Sequence, residues 1–217
     1  ETPSLKTPHQ LPTYLPVDDA SRLMDLPDIN TQEGKRDKAI LELLYGSGLR
    51  VGELVALNDE DANIPERLVR VQGKGRKERI IPLTRKAVAA IEECLSSRAS
   101  MKTTSDKGKH RDEGHPLFQN NRGNRLSTGD IRKILRHYEK KGGFSYHFTP
   151  HSLRHSAATH LLEDGADLRS IQELLGHSSI STTQRYTQVD FAHLQAVYDD
   201  SPPRAHTAKA GQTDKKT

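Results

Sequence analysis

Apolar positions recur at helical spacing through most of the chain and alternate in one short stretch. That pattern predicts an α+β domain, mainly helical, with a small antiparallel β-sheet. Asp18 and Asp19 read as helix-start residues ahead of Leu23 and Leu26, and Ala39, Ile40, Leu43 and Leu44 repeat at helical spacing within residues 36–45. Gly46-Ser-Gly48 breaks the second helix. Residues 49–57 then read as a short helix with Leu54 and Leu57 inward, which places Arg50 at a helix start beside a turn. Residues 68–72 and 79–83 are β-like runs joined by Gly73-Lys-Gly-Arg-Lys-Glu78, so Lys74 falls in or beside a hairpin turn.

Thr84 is the expected cap of a helix running to about Ser97, after which residues 100–114 are polar, without period, and expected to form a surface loop. Ser127 or Thr128 opens a helix to about Lys141, with Ile131, Ile134 and Leu135 on one face and Gly142-Gly143 at its end. Thr149 caps the next, with Pro150 in its first turn and Gly165 just past its end. Further helices are expected from Asp167 to Gly176, from Ser181-Thr182 to near Tyr186, and over residues 191–198.

Composition narrows the class without naming the task. The 217 residues are 33% hydrophobic, enough for one compact domain with tails. Four prolines in residues 1–16 predict an extended arm or linker, residues 17–200 a catalytic domain, and residues 201–217 a disordered tail. The excess of 33 Lys and Arg over 29 Asp and Glu, a net +4, permits a polyanionic partner without demanding one. Cys94 is the only cysteine, so no intrachain disulfide forms, which favours a reducing compartment. No apolar run approaches the roughly 20 residues that span a bilayer, and no signal segment opens the chain. A cytoplasmic protein without membrane attachment is the expectation.

The chemistry concentrates in Thr149-Pro-His-Ser-Leu-Arg-His-Ser-Ala-Ala-Thr-His160 and in Leu174-Leu-Gly-His-Ser-Ser-Ile-Ser-Thr-Thr-Gln-Arg-Tyr-Thr187. Arg154 offers a fork of donors suited to a phosphodiester, His151 and His177 can donate hydrogen bonds or move protons, and Tyr186 can attack phosphorus. The three-residue spacing of His151 and Arg154 puts them on one helix face. Each residue alone has a plainer reading: Arg50 a surface cation, Lys74 a turn lysine replaceable by Arg76 or Lys77, His151 and His155 capping or partly buried histidines, His177 a C-cap group, Tyr186 a core aromatic. His151 and His155 also have metal-ligand spacing, but no Glu or Cys completes a zinc set. No metal and no cofactor are expected.

Together these motifs resemble the signature of the tyrosine recombinases, the phage integrase family, and most closely its Xer branch. Gly48-Leu-Arg-Val-Gly-Glu-Leu54 is similar to the family's first arginine box, and Gly73-Lys-Gly-Arg-Lys-Glu-Arg-Ile-Ile-Pro82 to its lysine hairpin. The resemblance covers residues 11–204 and implies the tyrosine recombinase catalytic-domain fold. It implies Arg50 and Arg154 clamping the scissile phosphate, His151 and His177 assisting, Lys74 as general acid and Tyr186 as nucleophile, with Glu53 supporting the arginine or lysine. The implied activity is site-specific recombination through a 3′-phosphotyrosyl intermediate, independent of metal and ATP, in chromosome dimer resolution or mobile-element integration.

Those roles make independent chemical sense. Two guanidinium groups can each bind the charged non-bridging oxygens bidentately, and a flexible amine can protonate a 5′-alkoxide as it leaves. Relatives carry an N-terminal helical domain that closes around DNA; this chain has no room for one, and residues 8–16 look like the link from it. Double-stranded DNA is the implied partner, with a homo- or hetero-tetramer formed through residues 191–198 and a monomer possible without DNA. Arg70, Arg76, Lys77, Arg79, Arg122, Arg125, Arg132 and Arg136 are candidates for a DNA surface, and Arg132 and Arg136 share a helical face. Two other readings use the same residues: a type IB topoisomerase, which reseals the same strand, and a DNA-binding module without activity. The Xer-like sequence disfavours the first, and the filled catalytic positions disfavour the second.

Overall fold

The computed structural model describes residues 14–73, 78–101, 114–165 and 171. Its elements are α1 (Val17–Met24), α2 (Gln32–Leu41), α3 (Val51–Ala56), β1 (Ala62–Asn63), β2 (Leu68–Gln72), β3 (Glu78–Pro82), α4 (Arg85–Met101), α5 (Thr128–Lys141) and α6 (Pro150–Glu163). This is the mainly helical architecture with a small antiparallel sheet that the periodicity predicts. The buried apolar set is continuous and draws on every helix, with Leu23, Ile40, Leu44, Leu54, Ile91, Leu135 and Leu153 among its members.

Helix α1 begins at Val17, after Pro16, and has no side-chain cap. Asp18 and Asp19 therefore lie in its first turn, where carboxylates favour the positive end of the helix dipole, rather than at the cap. Leu26 falls beyond its end and is only partly buried. Leu15, within the segment read as an arm, is buried, and its N–H donates to Ser156 Oγ of α6 at 2.6 Å. Residues 1–13 lie outside the described residues.

The helix expected over residues 36–45 starts earlier and changes pitch. Thr31 caps α2 by accepting from the Gly34 N–H at 3.0 Å. Beyond Leu41 the chain widens into a π turn over Glu42–Gly46, closed by Ser47 N–H donating to Glu42 O at 3.2 Å. Leu49 N–H reaches back to Leu43 O at 3.1 Å. Gly48 then takes φ +60, a left-handed conformation that costs glycine little, and turns the chain into α3.

The sheet has the order β1-β2-β3, with Val69 opposite Ile81 and Val71 opposite Arg79. Side chains alternate: Val69, Val71 and Ile81 are buried, whereas Arg70, Gln72, Glu78 and Ile80 are exposed. Arg79 therefore shares the inner face with Ile81. Helix α4, with Thr84 Oγ1 accepting from Ala87 N–H at 3.0 Å, runs past Ser97 to Met101. Arg98 explains the extra turn, for it donates to Pro116 O at 2.8 Å and ion-pairs with Asp59. Helices α5 and α6 start at the predicted Ser127 and Thr149 caps, which accept from Asp130 and Ser152 N–H. Of the helix expected from Asp167 only Ile171 is described, and it is buried; the helix expected near Tyr186, the segment 191–198 and the tail 201–217 lie outside the described residues.

Candidate active site

Three elements meet where the sequence places the two arginine boxes: the loop from the π turn into α3, the inner face of β3, and the first turns of α6. Arg50 is the N-cap residue of α3. The Glu53 carboxylate, three residues on, reaches back to the Arg50 backbone N–H at 2.9 Å and accepts from Arg50 Nη1 at 3.0 Å. The backbone contact is the carboxylate half of a capping box, so the Arg50 to Glu53 spacing follows from helix-cap geometry.

Arg79 completes the arrangement. Its Nη1 donates to Glu53 Oε1 at 2.6 Å and its Nη2 to Oε2 at 2.9 Å, an end-on bidentate pair across 26 residues of sequence. Glu53 is buried at 5% exposure. Burial alone would raise its carboxyl, but the hydrogen bonds and charges of Arg79 and Arg50 outweigh that and hold it below the usual carboxylate range. The supporting role expected of Glu53 thus has two arginine partners.

Arg154 is 6% exposed, although a charged side chain is seldom buried without partners. It projects from α6 toward the π turn, and its Nη1 donates to the carbonyl of Gly48, two residues before Arg50. His151, in the first turn of the same helix, is exposed, so the shared face of the i and i+3 positions runs from solvent at His151 to interior at Arg154. His155 is exposed, not partly buried as its sequence context suggested. Lys74, Arg76, Lys77, His177 and Tyr186 lie outside the described residues. Gln72 and Glu78, the described strand residues on either side of residues 74–77, are paired.

The candidate DNA surface divides. Arg132 and Arg136 are exposed on α5. Arg125 is instead a structural donor, reaching Val55 O at 3.0 Å, Leu57 O at 2.9 Å and Asn58 Oδ1 at 2.5 Å. It donates to carbonyls at the end of α3, of which that of Leu57 also accepts from Leu117 N–H at 3.0 Å. Arg70 is an exposed partner of Asp61 at 3.0 Å. Arg79 belongs to Glu53, and its register with buried Ile81 is the signal by which the sequence could have placed it inward.

A second buried polar pair has no local signal in the sequence. Tyr45 Oη and His160 Nδ1 share a 2.8 Å hydrogen bond, with the Tyr14 ring edge-on to the imidazole. Among the described residues no His, Cys, Asp and Glu group assembles a metal site.

Chemically, the described part of the site is a cationic surface built on one carboxylate. Arg50 remains 45% exposed at its edge, while Arg154 and Arg79 anchor it from beneath. Such an arrangement suits an anion with several oxygens.

The model of the phage integrase family matches residues 13–193. Tyrosine recombinase XerC of Myxococcus xanthus is 48% identical over 202 residues, 93% of this chain and 66% of that protein. XerC of Thermodesulfovibrio yellowstonii is 50% identical over 200 residues, 92% of this chain and 65% of its own. The chain thus spans slightly less than two thirds of the length of these relatives. Among solved structures, XerA recombinase has a TM-score of 0.66 at 35% identity, over 95% of this chain and 68% of its own. XerH bound to a palindromic difH substrate, a post-cleavage complex, shares the fold with a TM-score of 0.63 at 22% identity, over 88% of this chain and 54% of its own.

Proposed function

The chain belongs to the phage integrase family, and from that premise we propose that it is a site-specific DNA recombinase of the Xer type. It cleaves and rejoins strands of double-stranded DNA through a 3′-phosphotyrosyl intermediate. The observation that carries the reading is the joining of the two arginine boxes, with buried Arg154 bonded to the Gly48 carbonyl beside Arg50. Two guanidinium groups from separate elements then serve one phosphate, stabilising the charge that builds on its non-bridging oxygens in the transition state.

In this reading the Tyr186 oxygen attacks phosphorus, the bond to the 5′ oxygen breaks, and Lys74 supplies the proton that the departing alkoxide takes up. His151 and His177 donate hydrogen bonds to the phosphate and move protons at the nucleophile. The phosphotyrosyl ester keeps the bond energy, so resealing requires neither ATP nor metal. Arg76, Lys77, Arg132 and Arg136 bind backbone phosphates, and residues 191–198 join protomers into a tetramer on DNA. In this reading the protein acts on DNA in the cytoplasm. No described helix is long and apolar enough to cross a bilayer.

Covalent trapping tests the reading. A nicked suicide duplex carrying a Xer-type site loses a short oligonucleotide on cleavage and cannot reseal. The expected result is a gel-shifted adduct with this chain and none with Tyr186→Phe. Absence of an adduct from this chain, and from a longer one that includes an N-terminal DNA-clamp domain, would overturn it.

A further inference from the structure

Glu53 has four acceptor positions on its two oxygens, and two arginines fill all four. Oε1 accepts from Arg50 Nη1 and Arg79 Nη1, and Oε2 accepts from the Arg50 backbone N–H and Arg79 Nη2. Exposure grades across the triad, from 5% for the Glu53 side chain through 21% for Arg79 to 45% for Arg50. The carboxylate is therefore held from the inside by Arg79, while Arg50, bonded to the same carboxylate, lies at the exposed edge of the group.

We propose that Arg79 is a positioning residue for the phosphodiester reaction, holding Glu53 as the buried anion that orients Arg50 toward the scissile phosphate. The inference rests on the strand-cleavage reading above. Three features of the fold carry it. Arg79 lies opposite buried Val71 on the inner face of the sheet, so its guanidinium is aimed at α3 by strand register rather than by chance of rotamer. Its contact with Glu53 is bidentate, a geometry that fixes the plane of the carboxylate as well as its place. Glu53 is bonded to both the backbone and the side chain of the Arg50 cap, so the orientation of the carboxylate passes directly to Arg50.

Without Arg79, Glu53 pairs with Arg50 alone. The pair is then neutral toward a phosphate, and the carboxylate loses the contact that fixed its plane.

Arg79→Met tests this, measured as the rate of covalent adduct formation on the suicide duplex. A misplaced or neutralised clamp is expected to cost about 10²-fold. Two readouts separate positioning from mere support of the fold. In a Glu53→Gln background the further loss from Arg79→Met should shrink to within about 3-fold, because residues acting through one another are not additive. On a duplex with a methylphosphonate at the scissile position, which lacks the negative charge that Arg50 answers, the Arg79→Met penalty should also shrink several-fold. Arg79→Lys, which keeps the charge but not the fork, should fall between wild type and Arg79→Met at an unchanged melting temperature.

An Arg79→Met penalty that is equal on both substrates and additive with Glu53→Gln would overturn the inference while the wild-type adduct leaves the recombinase reading standing. No adduct from the wild-type chain or its longer form would overturn both.

Discussion

Arg154 Nη1 donates to the carbonyl of Gly48, so the arginine of α6 is held by the same loop that presents Arg50. One hydrogen bond thus joins elements more than 100 residues apart in sequence and makes a folding contact part of the site. Arg154→Lys keeps the charge but loses the planar fork, and a lysine cannot bind the carbonyl and a phosphate in the same fixed geometry. We expect adduct formation on the suicide duplex to fall about 10²-fold, in the range for loss of a preorganised donor to a transition-state oxyanion. The melting temperature reports the structural half of the role, and an Arg154→Lys chain that is fully active would separate Arg154 from the chemistry.

Gly34 is a position where any side chain is excluded. A Cβ there would lie 2.0 Å from the Asp28 carbonyl oxygen and 2.8 Å from Thr31 Oγ1. Those are the atoms of the α2 cap, in which Thr31 Oγ1 accepts from Gly34 N–H at 3.0 Å and donates to Asp28 O at 2.8 Å. Gly34→Ala should destabilise by about 2 kcal/mol or more, since the backbone must shift, against about 1 kcal/mol for Thr31→Ala, which removes the cap alone. At about 2–4 °C per kcal/mol for a chain of this size, thermal melting resolves the two. A smaller loss for Gly34→Ala than for Thr31→Ala would mean the cap relaxes around the methyl group.

Much of this fold was legible because its signals are local. Thr31, Ser127 and Thr149 cap the helices they precede, and only the last two were anticipated, since Thr31 precedes a polar stretch rather than an apolar repeat. The two-residue strand β1 has no period to detect. The π turn after Leu41 was invisible for a related reason, because Leu43 and Leu44 bury in either pitch. Of the site, Arg50, Glu53 and Arg154 are grouped only through family resemblance; their spacing alone does not bring Gly48 to α6. Arg79 and Arg125 were read as DNA-facing because basic residues are exposed by default. What places them inward is tertiary, a carboxylate and two carbonyls brought from elsewhere.

Burial holds His160 below the usual histidine range, with Glu163 and Asp164 opposing only in part. Its folded value therefore lies below the ordinary 6.5, and the unfolded chain binds the proton more readily. The sign follows: His160 contributes stability above about pH 6.5 that is lost as the pH falls through that value toward the lower folded one. We expect the melting temperature to drop between pH 7 and pH 5, and the drop to be smaller in His160→Gln, which cannot titrate. Equal drops in the two chains would assign the acid sensitivity to another group.

Arg132 and Arg136 are exposed on one helix, whereas Arg125 spends its donors on Val55, Leu57 and Asn58. The two kinds of arginine should separate cleanly in a salt titration of duplex binding. Each phosphate contact contributes about 0.9 to the slope of log affinity against log salt, so replacing Arg132 and Arg136 together by alanine should lower the slope by about 1.8. Arg125→Ala should leave the slope alone and lower the melting temperature, because three acceptors near the end of α3 each lose a hydrogen bond. Fluorescence anisotropy on a labelled duplex between low and physiological salt reads the first effect, and thermal melting the second. An unchanged slope in the double variant would remove α5 from the DNA surface and leave phosphate binding to Arg76, Lys77 and the arginine clamp.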